Sequence, residues 1–205
     1  MKVLLFASGL MLAVLPMCKP DASTTTVTAT EAGAARNPAS PAEVRAQFDI
    51  LRDSADANWQ RMMTSDDRKM QDMDALLRDL DKLPGHDKAQ LASLRRTTNH
   101  LPRQRYDRLS MVSSPLIDRY DTVQDSVLHL LYPLAAPEGN APTAAVRDYV
   151  EAIQLADNNV VNYRAHYDAA AKAYNNYLQV HGEELRKLGG SYAKLQQLPL
   201  FELGK

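Results

Sequence analysis

The sequence predicts an all-α protein, an antiparallel helical bundle with long first and last helices. Apolar residues recur at steps of three and four through most of residues 41–205, a spacing that places them on one face of an α-helix. Proline and glycine separate the periodic segments, and no segment shows the apolar–polar alternation between hairpin turns that is typical of strands. Because amphipathic helices bury their apolar faces against one another, a bundle is the expected architecture.

The first helix is predicted to begin at residue 41, with Ser40 as the N-cap, Pro41 at the first helical position and Glu43 completing a capping box. The Pro-Gly pair at 84–85 predicts its end. Its apolar face comprises Val44, Phe48, Leu51, Ala55, Trp59, Met62, Met70, Met73, Leu77 and Leu80. Asp66 is the polar residue on that face, and we interpret it as a bundle edge or a slight rotation of the helix rather than a catalytic acid.

The middle of the chain has a less regular pattern. Residues 88–101 have helical spacing, and Pro102 predicts a kink or a break after them. A short helix is expected over 103–112. A further amphipathic helix is predicted to begin at the Ser-Ser-Pro sequence of 113–115 and to end near Pro133.

The last helix is predicted to be a single one that Thr143 caps after a loop at 136–142 and that Gly182 terminates. Its seven-residue repeat has Val146, Ile153, Val160, Tyr167, Tyr174 and His181 at one position and Tyr149, Ala156, Tyr163, Ala170 and Tyr177 three residues later. Residues 182–205 are expected to be irregular. Their apolar side chains, which include Leu195, Leu198, Leu200 and Phe201, are candidate anchors for a partner.

The N-terminal residues predict export from the cytoplasm. Residues 1–17 carry Lys2 and then an apolar run, as an export signal does, and the run is too short to span a bilayer. Cys18, the only cysteine, follows at the position of a bacterial lipoprotein's lipid-attachment cysteine; the alternative is an ordinary secretory signal with an incidental cysteine. Residues 18–40 are rich in Ala, Ser and Thr, and we expect a disordered tether there.

Composition and motifs favour a protein without enzymatic activity. The net charge of −1 argues against a nucleic-acid binder. A basic cluster is interpreted as a solvated face, with an anion-binding surface as the alternative; it comprises Arg95, Arg96, His100, Arg103, Arg105 and Arg108. The sequence lacks metal-ligand spacing, a serine-hydrolase motif and a glycine-rich phosphate loop. We therefore expect no catalytic residues, cofactor or metal.

Three groups of short motifs stand out in the sequence. They are Asn158, Arg164, Tyr167, Tyr174 and Asn175 in the last helix, the closing Leu198-Pro199-Leu200-Phe201-Glu202, and Asp56-Ala57-Asn58-Trp59 with Arg68-Lys69 in the first helix. These motifs resemble those of the LemA-like proteins of the bacterial envelope. The resemblance implies that residues 41–205 form a helical bundle held outside the cytoplasmic membrane, in a lipoprotein variant of the family. It implies no catalytic residues, because the family has none that are established.

Two functional hypotheses follow. The first is a non-enzymatic, lipid-anchored protein of the cell envelope, periplasmic or at the cell surface, whose bundle binds an unidentified envelope protein. Its possible interaction surface comprises Tyr163, Arg164, Tyr167, Tyr174 and Phe201. The second is a bundle that binds a small ligand or glycan on a tyrosine-lined interhelical surface. Burial of these tyrosines in a closed core would count against the second hypothesis.

Overall fold

The computed structural model describes residues 40–136 and 141–201, and it confirms an all-α bundle with no strand in those residues. The helices are α1 (Pro41–Lys82), α2 (Lys88–Gln104), α3 (Ser114–Ala135), α4 (Ala144–Asn158) and α5 (Val160–Lys187), with 3₁₀ turns at Ser110–Val112 and Gly190–Lys194. The predicted export signal, Cys18 and all of the tether except Ser40 lie outside the described residues. None of the five helices is both long and apolar enough to cross a membrane.

Helix α1 lies at the centre of the bundle and contacts each of the other four helices. It is 42 residues long, or about 63 Å at 1.5 Å per residue. The predicted capping box is confirmed, because the Ser40 backbone N–H donates to Glu43 Oε2 at 2.7 Å and the Glu43 N–H donates to Ser40 Oγ at 3.3 Å. Its predicted apolar face is mostly buried.

Helices α4 and α5 run antiparallel to α1. Near the start of α1, Tyr177 Oη donates to the Val44 carbonyl oxygen at 3.2 Å. Farther along α1, Lys69 Nζ donates to Asp157 Oδ1 at 3.1 Å. A later residue of α1 therefore contacts an earlier residue of the α4–α5 segment, which is the antiparallel arrangement that was predicted.

Helix α2 and the connector that follows it also run antiparallel to α1, and arginines of the basic cluster hold them there. Arg95 pairs with Asp74 at 2.9 Å, Arg105 with Asp66 at 3.0 Å and Arg108 with Asp56 at 2.5 Å. Three members of the cluster are thus bonded to carboxylates of α1. Arg105 and Arg108 are largely buried, so the solvated-face interpretation is wrong for these two, and the anion-binding alternative loses three of its members.

The connector between α2 and α3 differs from the predicted helix over 103–112. Helix α2 continues through Pro102 to Gln104, and only Ser110–Val112 forms a 3₁₀ turn. The Asp107 carboxylate accepts hydrogen bonds from the backbone N–H groups of Leu109 and Ser110 at 3.0 and 2.7 Å. Because a side-chain acceptor that bonds nearby N–H groups competes with the helix, Asp107 accounts for the irregular backbone.

The predicted single last helix is interrupted at Asn159, which separates α4 from α5. Asn159 Nδ2 donates to the Leu155 carbonyl oxygen at 2.8 Å, an oxygen that the backbone N–H of Asn159 also bonds at 3.2 Å. The side chain thus competes for a helical acceptor. The heptad pattern of apolar residues continues across Asn159 and could not show this interruption.

Gly182 does not end α5, contrary to the prediction. The helix continues to Lys187, and Gly182 is buried within it. The next turn places Leu185 in a buried cluster with Val44 and Phe48 of α1, and this burial outweighs the helix-propensity penalty of a glycine, about 1 kcal/mol. Gly189, with φ +72°, follows the helix end instead.

Candidate functional site: the strap groove

Residues 195–201 are non-helical and run back along α5, and we call them the strap. The chain reverses direction at Gly189 and Gly190, whose φ values of +72° and +57° suit glycine. In the turn that follows, Tyr192 Oη lies 2.9 Å from each carboxylate oxygen of Asp49, which fixes the turn on α1. The surface of α1, α5 and the α2–α3 connector that the strap covers is called the strap groove below.

Tyr174 and Asn175 of α5 bind the first half of the strap. Tyr174 Oη donates to the Gln196 carbonyl oxygen at 3.2 Å. The Asn175 amide pairs with both backbone groups of Leu198, donating to its carbonyl oxygen at 2.8 Å and accepting from its N–H at 2.7 Å. All three bonds end on main-chain atoms of the strap.

Tyr167 and Asp168, one heptad earlier in α5, bind the second half of the strap. Tyr167 Oη donates to the Pro199 carbonyl oxygen at 3.0 Å. The buried Asp168 carboxylate accepts from the Phe201 N–H at 2.9 Å. These contacts repeat the pattern of Tyr174 and Asn175, except that a carboxylate only accepts.

The two pairs match the geometry of an extended chain. Seven residues of α-helix rise about 10.5 Å, and three residues of an extended or polyproline II chain rise about 9–10 Å. The tyrosine bonds advance along the strap from Gln196 to Pro199, and the Asn or Asp bonds advance from Leu198 to Phe201. A heptad on α5 therefore corresponds to three residues of the strap.

The Phe201 side chain lies in an aromatic pocket of the strap groove. Its ring centroid lies 6.4 Å from Trp59 in a stacked arrangement, 5.8 Å from Tyr167 and 5.7 Å from Tyr106, the last two edge-to-face. The guanidinium carbon of Arg164 lies 5.2 Å from the same centroid, within the range of a cation–π interaction. Phe201 is thereby buried.

Arg164 is held in place at the pocket by groups from α3 and the connector. Its two terminal nitrogens each donate to an oxygen of Asp121 at 2.8 Å, and Nη2 also donates to Tyr106 Oη at 3.1 Å. Burial lowers the pKa of the Arg164 guanidinium, but the bonds to Asp121 and Tyr106 outweigh it and raise that pKa above its usual value. The guanidinium is therefore a fixed cation under the Phe201 ring.

Asp66 organises a buried polar network next to this pocket. It accepts hydrogen bonds from Tyr120 Oη at 2.5 Å, from Gln124 Nε2 at 3.0 Å and from Arg105 Nη1 at 3.0 Å. Its side chain is only 12% exposed, so the interpretation as a bundle edge is wrong. A cavity of about 20 Å³ that Asp66 and Tyr163 help to line has room for about one water molecule.

The five residues predicted as a possible interaction surface are close to one another but largely inaccessible. Arg164, Tyr167, Tyr174 and Phe201 are buried, and Tyr163 is partly buried. These four side chains form a buried contact surface between the strap and the rest of the bundle rather than an exposed one. The tyrosine-lined surface of the ligand-binding alternative is likewise closed, since the cavity beside Tyr163 measures about 20 Å³.

The apolar side chains that were predicted as anchors for a partner belong to the strap and pack against the chain's own helices. Leu195, Leu198 and Leu200 are partly buried against the bundle. Asp168 is a residue of the site that was not predicted. Its place directly after Tyr167, as Asn175 directly follows Tyr174, is the signal that could have identified it. Asn158, which shares the family resemblance, is exposed at the end of α4, away from the strap.

Comparisons with known proteins add no assignment. No protein-family model, curated protein or solved structure matches the chain. Within residues 40–136 and 141–201, no three His, Cys, Asp or Glu side chains are placed to bind a metal ion together. The strap groove is therefore interpreted from its own geometry.

The buried tyrosines predict a loss of stability at alkaline pH. Burial raises the pKa of Tyr167 to about 12; Arg108 opposes the rise, and Asp168 adds to it. Above pH 10 the hydroxyl ionises in the unfolded chain but stays protonated in the folded one. The free energy of unfolding should therefore fall by up to about 1.4 kcal/mol per pH unit for this group as the pH rises from about 10 to 12.

The measurement is urea unfolding of the wild type and of Tyr167→Phe at intervals between pH 8 and pH 12. Phenylalanine cannot ionise, so the variant should lose less stability than the wild type above pH 10. The two proteins should show parallel dependence below pH 9. Parallel curves over the whole range would contradict the assignment of this loss to Tyr167.

Proposed function

We propose that this chain is a non-enzymatic, lipid-anchored cell-envelope protein whose helical bundle is a protein-interaction module of LemA-like type. The observation that carries the proposal is the exposure of large apolar side chains on the α2–α3 connector. Leu109 is 78% exposed and Val112 is 71% exposed. Two such side chains three residues apart on a short turn form a small apolar surface on which a partner can pack.

The connector is a well-defined surface. Met111, between the two exposed residues, is buried, and the Asp107 carboxylate bonds the N–H groups at the start of the turn. Val112 also borders a depression that strap residues 197–201 line on the other side. Val112 is thus next to the strap, and a partner that packs on the connector can also enter this depression.

The resemblance to the LemA-like family supports the same proposal. Tyr167, Tyr174 and Asn175, which carry the resemblance in α5, all bond the strap, and the strap contains most of the closing segment that carries it at the C-terminal end. Trp59, from the first-helix motif, stacks on Phe201. Motifs that are distant in the sequence therefore meet at one structural feature.

Photo-cross-linking in intact cells tests the interaction role. A benzophenone amino acid is placed at position 109 or 112, and the control is position 180, because Val180 is 75% exposed. Position 180 is also far from the connector. Tyr177, three residues before Val180, bonds Val44, whereas Arg108, next to Leu109, bonds Asp56. Val44 and Asp56 are twelve residues apart on α1, or about 18 Å. Discrete cross-linked products from 109 and 112 but not from 180 are expected. Identical products from all three positions, or none, would overturn the proposal.

Fatty-acid labelling tests the lipid anchor. We propose that Cys18 carries the lipid, because it directly follows the apolar run of the export signal. Cells that express Cys18→Ala should incorporate no labelled fatty acid into this protein, whereas Ser23→Ala, a nearby control, should be labelled like the wild type. Equal labelling of Cys18→Ala and the wild type would contradict the anchor.

A further inference from the structure

We infer that the strap groove is a binding site for extended peptides, filled in this structure by residues 196–201 of the chain itself. An extended segment of a partner protein, with an aromatic residue at the position of Phe201, can take the place of the strap. The inference rests on the proposed interaction role for its biological meaning, and it names the kind of partner.

The polar contacts of the groove are independent of the side chains of the strap. The five hydrogen bonds from Tyr167, Asp168, Tyr174 and Asn175 end on backbone N–H or carbonyl groups. Any extended segment presents such groups at the same spacing, three residues for each heptad of α5. The groove therefore binds a main-chain conformation, as other peptide-recognition sites do.

Selectivity comes from the aromatic pocket. Trp59, Tyr106 and Tyr167 surround the Phe201 ring, and the Arg164 guanidinium lies 5.2 Å from its centroid. An aromatic ring can stack on Trp59 and also make a cation–π interaction with Arg164, whereas an aliphatic side chain can do neither. The ligand class is thus an extended peptide with an aromatic residue three positions after the residue that bonds Asn175.

The contacts that hold the strap are ones that a competing peptide can replace. It has no regular backbone ladder with the bundle, since the bonds that hold it come from side chains. Leu198 and Leu200 are only partly buried. The strap joins α5 through Gly189 and Gly190, both at positive φ. Segments with these properties open at lower cost than the packed helices.

Fluorescence anisotropy with a labelled Gln-Gln-Leu-Pro-Leu-Phe peptide tests the inference on the full chain. In the wild type the strap competes with the peptide; Phe201→Ala weakens the strap, so the variant should bind the peptide at least tenfold more tightly than the wild type. A peptide that ends in alanine should bind at least tenfold more weakly to the same variant. Equal binding of the two peptides would overturn the inference.

Asn175 supplies the matched comparison within the groove. Adding Asn175→Ala to Phe201→Ala removes both bonds to the residue at the Leu198 position and should weaken peptide binding roughly tenfold. Asn176→Ala, in the same background, alters the adjacent exposed asparagine and should leave binding unchanged. Equal losses for the two changes would overturn the assignment of the groove.

A cleavable strap covers the case in which Phe201→Ala does not fold. A protease site is inserted between Lys194 and Leu195 of the otherwise wild-type chain, which is cut after folding. The released segment should co-elute with the bundle and be displaced by the phenylalanine peptide but not by the alanine peptide. Loss of the segment without peptide binding, or a segment that neither peptide displaces, would overturn the inference.

The experiments distinguish failure of the proposed interaction role from failure of the peptide-binding groove. Cross-links from position 109 in cells without peptide binding in solution would remove the groove inference and leave the interaction role. Peptide binding without cross-links from 109 or 112 would keep the groove and remove the connector as the docking surface.

Discussion

Replacing Tyr167 by alanine should lower the free energy of unfolding by about 3–5 kcal/mol, the range for deleting a buried aromatic side chain. Tyr167 is 0% exposed. Its ring centroid lies 5.3 Å from that of Trp59 and 5.8 Å from that of Phe201. Alanine removes both contacts, leaves a cavity between α1 and α5 and deletes the bond to the Pro199 carbonyl oxygen. Urea denaturation followed by circular dichroism measures the loss.

Tyr167→Phe is the matched control, because it keeps the ring and removes only the hydroxyl. The expected loss is about 1 kcal/mol, the typical value for one hydrogen bond. The difference between the two variants then measures the ring packing. Similar losses for phenylalanine and alanine would contradict the argument that the ring joins the two helices and the strap.

The parts of the fold that follow from local chemistry were predictable from the sequence. Ser40 and Glu43 form the capping box that starts α1, and the Pro-Gly pair at 84–85 follows its end. Thr143 caps α4 as expected, its hydroxyl accepting from the Val146 N–H. These signals need only a few adjacent residues, so tertiary structure does not alter them.

The parts that depend on competition between local and distant contacts were not predictable. Gly182 looks like a helix stop, but the burial of Leu185 extends the helix past it. Asn159 looks like one more helical residue, but its side chain bonds the Leu155 carbonyl and interrupts the last helix. At Gly182 the packing of Leu185 decides the outcome, and at Asn159 a side-chain hydrogen bond to the preceding turn does.

The sequence indicated several residues of the candidate site but not that they bind the strap. The heptad repeat placed Tyr167 and Tyr174 on the packing face of α5, and they are buried. It could not show that the strap, a segment without periodicity, covers part of that face. The bonds from Asn175 and Asp168 end on backbone atoms, and backbone atoms are the same in every residue except proline. A site of this kind has no sequence signature on the side of the bound segment.

Asp66→Ala should lower the free energy of unfolding by about 3 kcal/mol, because it leaves several buried donors without an acceptor. Tyr120 Oη and Gln124 Nε2 both donate to the Asp66 carboxylate, at 2.5 and 3.0 Å. Burial and the Asp66 charge raise the pKa of Tyr120 well above its usual value, so the hydroxyl stays a donor. Arg105 loses one of its two carboxylate partners. Thermal and urea unfolding measure the effect.

Asp67→Ala provides the matched control, because Asp67 bonds the same guanidinium from the adjacent position. The Asp67 side chain is 49% exposed, and Arg105 Nη1 lies 2.6 Å from it. An ion pair whose carboxylate is half exposed in this way should contribute about 1 kcal/mol or less. A loss for Asp67→Ala as large as that for Asp66→Ala would show that the charge on Arg105, rather than the buried network, determines stability.

A double variant separates the ion pair from the rest of the network. If the loss of one carboxylate partner of Arg105 were the main cost of Asp66→Ala, adding Arg105→Met would recover most of the lost stability. The structure predicts only partial recovery, because Tyr120 and Gln124 still face the position that the carboxylate occupied. Arg105 and Asp67 also join the connector to α1, and the connector carries Leu109 and Val112. Variants that lose this network should therefore give weaker cross-linking from position 109 under conditions in which the helices are still folded.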